Sequence, residues 1–254
     1  MHSNNRSPLK GKPLRVPGQS LDQQINDLIY DKLATPFFAA IFACALAGIE
    51  WWRFAYPRPP APKTYTALAL LVVIYCIWQT RRVWRQLLRL RLARDGEQVV
   101  GQYLERLREQ GYEVFHDVIG ADFNIDHVII GPAGIFTIET KTRSKPNRGD
   151  AKITFDGEKI LVSGVAPDRD PVIQAKAQAH WLKALLAEST GRKFEIRPVI
   201  VFPGWFIEQQ PGSKRHMWVL EPKALPSFLA NEPRVLSVED VRMASFHLSR
   251  FIRS

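Results

Sequence analysis

The chain has only two cysteines, Cys44 and Cys76, in 254 residues. That excludes a disulfide-dense scaffold and a structural zinc site built on four cysteines. No glycine-rich phosphate loop and no Ser–His–Asp signal stands out. His116, His180, His216 and His247 form no zinc-ligand spacing. No internal repeat is visible. Two stretches, 36–49 and 64–79, lack charge altogether. What is present suits one or two domains with a sizeable core. A charged fraction of 24% and an aromatic fraction of 11% exclude a wholly disordered chain.

The formal charge of +10 is unevenly placed. Residues 96–254 carry 21 basic and 20 acidic groups, so the excess belongs to the first 95 residues. A high pI of that origin is weak evidence that the rest binds nucleic acid.

The uncharged stretches PFFAAIFACALAGI and TYTALALLVVIYCIWQ are apolar all round, without the polar stripe of a soluble surface helix. With their flanks counted they approach the roughly 20 residues that cross a bilayer. Trp51, Trp52, Tyr56, Tyr65, Tyr75 and Trp78 cluster near their ends, where amphipathic rings prefer the interface. The four prolines of RFAYPRPPAPK between them stop a helix. The expectation is a two-span hairpin over 35–79. Cys44 and Cys76 lie inside the spans and read as apolar packing. Arg81, Arg82, Arg85, Arg89, Arg91 and Arg94 follow the second span, and Lys10, Lys12, Arg15 and Lys32 precede the first. The loop holds only Arg53, Arg58 and Lys63, so both termini are expected on the cytoplasmic side of the inner membrane. The Arg-rich segment 80–95 would lie against anionic headgroups.

Residues 1–34 read as a cytoplasmic tail, with 1–19 disordered. Ser20 and Gln23 fit a capping box. Leu21, Ile25, Leu28, Ile29 and Leu33 then share one helical face, suited to the membrane surface or to the domain that follows.

Residues 96–254 read as a mixed α/β layered domain. A helix is expected over 96–110, ended by Gly111. Strands follow at 112–118, 123–130 and 134–141, the last two joined by a tight turn at Gly131-Pro132-Ala133-Gly134. A small hairpin around Asp156-Gly157 joins 151–155 to 159–163. A long helix over 171–188, strands at 195–203 and 216–221, and helices near 222–230 and 237–252 complete the order.

Asp126 lies in an otherwise apolar strand, on the face of Val128 and Ile130. Glu139 and Lys141 end the next strand and share a face. Pairing about the turn brings Asp126 close to Glu139. Facing carboxylates repel unless a cation lies between them, and a hard divalent ion with oxygen ligands fits that demand. Lys141 would orient a water or offset charge on a phosphate. An E-x-K triplet alone is weak; its place opposite a buried acid carries the reading. Arg143, Lys145, Arg148 and Lys152 lie just beyond and suit a phosphate backbone or a solvated loop. Glu97 alone would read as a helix-dipole partner, Gln174 as a surface residue, and His127, pointing away from Asp126, as a packed or surface histidine.

Gly96-Glu97, Asp126, Gly131-Pro132-x-Gly134 and Ile138-Glu139-Thr140-Lys141 resemble the nuclease-related domain (NERD) family of the PD-(D/E)xK nuclease superfamily. Pro171-x-x-Gln174, the strand VIVFP (199–203) and Ser237-x-Glu239-Asp240 agree in order and type. The resemblance covers essentially all of 96–254, with Ile125 standing where the superfamily pattern has proline. It implies a restriction-endonuclease-like mixed sheet flanked by helices. It further implies Mg²⁺ or Mn²⁺ held by Asp126 and Glu139, with the Thr140 carbonyl as a further ligand. Lys141 would be the catalytic lysine, Glu97 the helix-borne acid and Gln174 the polar residue of the long helix.

The expectation is therefore a membrane-anchored, metal-dependent nuclease acting on nucleic acid, DNA first, at the cytoplasmic face. The alternative is a catalytically idle module that binds nucleic acid or a protein partner. The near-neutral charge of 96–254 favours the latter. The spans read as an anchor or a dimerisation element of a homo-oligomer, although Ala43, Ala47 and Gly48 are a short small-residue set.

Overall fold

The computed structural model describes residues 14–56, 62–120, 123–145, 151–209 and 216–253. Its described residues divide into two compact units, one within 20–92 and one made of 14–19 with those of 93–253.

The smaller unit is helical. α1 (Gln19–Asp27), a π-helical stretch (Leu28–Ala34) and α2 (Thr35–Ala55) run on without a break for 37 residues. α3 (Pro62–Glu105) is 44 residues long and tightens into a 3₁₀ turn at Arg106–Gln110. Both helices are long and apolar enough to cross a membrane, and only 11% of each apolar window is buried. A core helix of a soluble protein would bury most of such a window. Phe38, Phe42, Leu71 and Ile74 are each more than 60% exposed. Ile25 and Leu28 pack against Val83 and Leu87 of α3, so the amphipathic face expected over Leu21–Leu33 is covered by this helix.

Three expectations are corrected here. Gly96 and Glu97 do not open a helix; they lie inside α3, because no proline interrupts the chain between 63 and 105 and one glycine costs a helix only about 1 kcal/mol. Ser20 is not a helix cap, since α1 already begins at Gln19, whose side chain accepts from the Val16 amide at 3.2 Å. Residues 14–19, expected to be disordered, pack within the larger unit.

The larger unit holds a five-stranded mixed sheet in the order β1 (Glu113–Ile119), β2 (Asn124–Gly131), β3 (Gly134–Thr140), β6 (Ile196–Val201), β8 (Trp218–Leu220). β1, β2 and β3 are antiparallel neighbours, while β6 runs parallel to β3 and β8 parallel to β6. The end of α3 and the 3₁₀ turn after it, through Val100, Leu104 and Leu107, and Leu225 and Leu229 of α5 (Leu225–Ala230) cover one face. α4 (Pro171–Thr190) and α6 (Val238–Arg253) cover the other, through Leu182, Leu186, Ala244 and Leu248. A small sheet orders β5 (Ile160–Val162), β4 (Lys152–Phe155) and β7 (Phe206–Gln209) over Ile153, Phe155, Phe202 and Trp205. β7 falls where the sequence predicts no strand. The predicted hairpin, the tight turn and the long helix are in place.

Two features aim the structure at one end of the sheet. Gly96 lets α3 approach the end of β3, because a Cβ there would lie 1.7 Å from Thr142 Oγ1. Asp117 interrupts the β1–β2 ladder, which passes from the pair His116–His127 to Val118–Ile125. Its φ is +51°, a left-handed conformation that costs a non-glycine residue about 1 kcal/mol or more.

Candidate functional site

The turn at Gly131–Gly134 sets the register of β2 and β3, with His127 opposite Ile138. The next position outward brings Asp126 to the end of β3, next to Glu139. Asp126 is half-buried, and its Oδ2 accepts from the Thr140 amide at 2.6 Å. Its Oδ1 has no hydrogen bond among the described residues.

Glu139 is 3% exposed and surrounded by donors. Lys141 Nζ stands 2.6 Å and Gln174 Nε2 2.8 Å from its Oε1. Lys141 Nζ also donates to Gln174 Oε1 at 2.9 Å. Gln178 Nε2 donates to Glu139 Oε2 at 2.5 Å and to the Asn124 carbonyl at 2.8 Å. One helical turn separates Gln174 from Gln178, so one face of α4 holds both oxygens of one carboxylate. The Asp170 side chain starts that helix by accepting from the Val172 amide at 2.8 Å.

Glu97 is 8% exposed and makes no hydrogen bond or ion pair among the described residues. Burial, then the charges of Asp117 and Glu139, push its pKa up to about 8, against the opposing pull of Lys141. Burial, then Glu139 and Glu97, push Asp126 well above the carboxylate range, although the Thr140 amide and Lys141 act the other way. Burial and the neighbouring carboxylates thus hold Glu97 and Asp126 toward the protonated form, an effect that a cation between them would oppose.

The donor set fits a hard divalent cation. Its donors are oxygens, and Glu97 and Asp126 Oδ1 lack donors of their own. Among the described residues no group of three or more His, Cys, Asp or Glu side chains converges for metal binding.

The structure therefore brings together Glu97, Asp126, Glu139, Thr140, Lys141 and Gln174. Arg143 lines a cavity of about 230 Å³ beside Lys141, together with Asp168, Arg169 and Phe202. Its carbonyl accepts from Trp205 Nε1 at 3.2 Å, which fixes the chain after β3. Lys145 is exposed, Lys152 pairs with Glu208 at 3.0 Å, and Arg148 lies outside the described residues.

Sequence reasoning missed two residues of the site. Gln178 had a usable signal in its spacing of four from Gln174. Asp117, 1% exposed, had none, because a single left-handed residue inside a strand leaves no pattern in the sequence. His127 is packed on the opposite face as expected. It is fully buried, with Nδ1 2.9 Å from Nδ1 of His116, whose Nε2 lies 2.8 Å from Glu105. Burial holds both imidazoles below their ordinary pKa.

No curated protein matches the chain. Protein VC1899 from Vibrio cholerae, a crystal structure, is 12% identical, with a TM-score of 0.27 over 92% of this chain and 59% of that one. The chain thus spans less than two thirds of the length of that protein. The resemblance expected over all of 96–254 is met by a shorter match that ends at Pro203, leaving β7, β8, α5 and α6 outside it. Residues 92–203, which carry Glu97, Asp126, Glu139, Lys141 and both glutamines, match the nuclease-related domain (NERD) family, and this part of the chain is similar to it.

Proposed function

We propose that the protein is a membrane-anchored, divalent-metal-dependent nuclease that hydrolyses phosphodiester bonds of DNA at the cytoplasmic face. The observation that carries this reading is the placement of Asp126 and Glu139 at the end of β3 beside Lys141, with Glu97 within electrostatic reach, inside the segment that matches the nuclease-related domain.

Asp126, Glu139 and the Thr140 carbonyl would hold Mg²⁺ or Mn²⁺. Such an ion supplies Lewis-acid polarisation of a phosphoryl oxygen and an activated water. The chain's own residues do the rest. Gln174 and Gln178 fix both oxygens of Glu139, so its carboxylate keeps one orientation. Lys141 presents an ammonium beside the acids, where negative charge grows on the phosphate during in-line attack. Glu97 completes the acidic wall from α3. Arg143 and Arg169 border the cavity beside Lys141, and their charge suits a flanking phosphate.

The membrane reading rests on α2 and the apolar 64–79 part of α3. Residues 14–19 and the domain after the second apolar stretch belong to one compact unit, which supports an even number of crossings. The basic residues on both flanks support the cytoplasmic side.

The test uses the full chain in detergent with linear, circular and single-stranded DNA, and RNA, in Mg²⁺, Mn²⁺ or chelator. Cleavage that requires the cation and is lost in Asp126→Ala and Lys141→Ala supports the proposal and identifies the substrate. Folded protein that cleaves none of these, with both variants binding DNA as wild type does, moves the assignment to a tethered binding module.

A further inference from the structure

Arg15 lies ahead of both apolar helices, yet its Nε stands 2.6 Å from Asp117 Oδ2. The partners are 102 positions apart. The Asp117 side chain is 2% exposed and that of Arg15 18%, so the pair is largely desolvated. Asp117 Oδ1 faces the Asn124 amide at 3.5 Å. The charge of Asp117 acts in turn on Glu97.

The backbone around Arg15 is seated as well. A Cβ on Gly101 would lie 2.4 Å from Pro17 Cγ, so Pro17 occupies the space that a side chain on α3 would take. A Cβ on Gly18, whose φ is +74°, would lie 3.0 Å from Arg94 Cγ. Two small residues and one proline therefore shape a close fit between this segment and the end of α3.

We propose that residues 14–19 are a strap belonging to the acidic site, and that Arg15 is a positioning residue acting through Asp117. Asn124, whose side-chain amide faces Asp117, also offers its carbonyl to Gln178, the partner of Glu139, and Asp117 lies within electrostatic reach of Glu97, so Arg15 holds a carboxylate tied to both acids. Removing Arg15 takes a buried, charge-assisted hydrogen bond from Asp117. Asp117 then shifts, and the Glu97 side of the site loses its fixed geometry. A consequence for the molecule is that a fragment beginning after the apolar stretches lacks part of its site. The catalytic half of this inference rests on the nuclease reading; the structural half does not.

The test is a double-mutant cycle on the full chain in detergent, with Arg15→Ala, Asp117→Asn and the pair combined. In chelator, Arg15→Ala should lower the thermal midpoint by about 5–15 °C, and the double variant should recover most of that loss. Gly101→Ala, which touches no charge, should lower the midpoint by displacing Pro17. Mn²⁺ titrated by calorimetry should bind about 10-fold more weakly to Arg15→Ala, with partial rescue by Arg15→Lys. On DNA, kcat should fall with KM unchanged. An additive cycle, or a midpoint equal to wild type in both Arg15→Ala and Gly101→Ala, overturns the strap. Coupling in the cycle with unchanged Mn²⁺ affinity overturns the positioning role. If wild type cleaves no nucleic acid, the nuclease reading fails, while the midpoints and the Mn²⁺ titration still decide the strap.

Discussion

Gln178 donates to the oxygen of Glu139 that Lys141 leaves free, at 2.5 Å, from a side chain that is 1% exposed. The contact lies 39 positions apart in the chain and on the far side of a helix from solvent. It is a hydrogen bond to a buried carboxylate, the kind worth most when made and costing most when one partner is removed.

Gln178→Leu should therefore keep the fold and lose function. The expected loss is about 10–100-fold in cation affinity or cleavage rate, as for other partners of a ligating carboxylate. Circular dichroism and Mn²⁺ calorimetry on the same sample check it. An unchanged affinity would show that Gln174 and Lys141 suffice to hold Glu139.

Gly96→Ala is the smallest change that should push α3 off the end of β3. The new methyl meets Thr142 Oγ1 at 1.7 Å, which neither backbone can absorb without moving. Overpacking of this kind costs about 1–3 kcal/mol. Glu97, the next residue, should move with the helix, so cleavage should fall further than stability does. Adding Thr142→Ala should return part of both, and melting curves beside rate measurements show whether it does.

Glu97 gives a pH dependence with a definite sign. Its folded pKa of about 8 lies above its ordinary 4.5, so the folded state binds the proton more tightly. That contribution to stability is complete below pH 4.5 and is lost as pH rises through 8. In chelator, the thermal midpoint of wild type should drop between pH 7 and 9. Glu97→Gln should lose most of that drop and exceed wild type at pH 9. Parallel curves for the two proteins would remove Glu97 as the cause.

The proposed membrane hairpin predicts the sidedness of fusions. A reporter active only outside the cytoplasm should work when inserted between α2 and α3 and fail at either terminus. A cytoplasmic reporter should give the reverse. Opposite signals from the two termini would leave an odd number of crossings and contradict the pairing of Arg15 with Asp117.

The parts of the site that were legible in the sequence are those that short-range pairing fixes. The Gly131–Gly134 turn leaves few registers for the strands it joins, so the meeting of Asp126 with Glu139 follows from counting. Lys141 and Gln174 came with the motif. Gln178 was hidden because a glutamine on a helix carries no sign of the strand it meets. Asp117 was hidden because alternation predicts a straight strand and the left-handed residue breaks it. Arg15 read as one more charge in a basic tail. β7 was missed because four residues after Pro203-Gly204 show no clear alternation and pair with a strand about 50 positions earlier. α3 was split in two because Gly96-Glu97 reads as the start of a helix, whereas here Gly96 is a place of close approach.

The separation of Arg15 from Asp117 also orders events during synthesis. At about 5–20 residues per second, some 5–20 seconds pass between the two residues leaving the ribosome. The whole apolar hairpin is made in that interval. The pair can close only after both apolar stretches have been made and the chain has returned from the far end of α3 to residues 14–19. The ion pair thus joins the earliest described residues of the larger unit to a strand made much later, and that unit is whole only when both have left the ribosome.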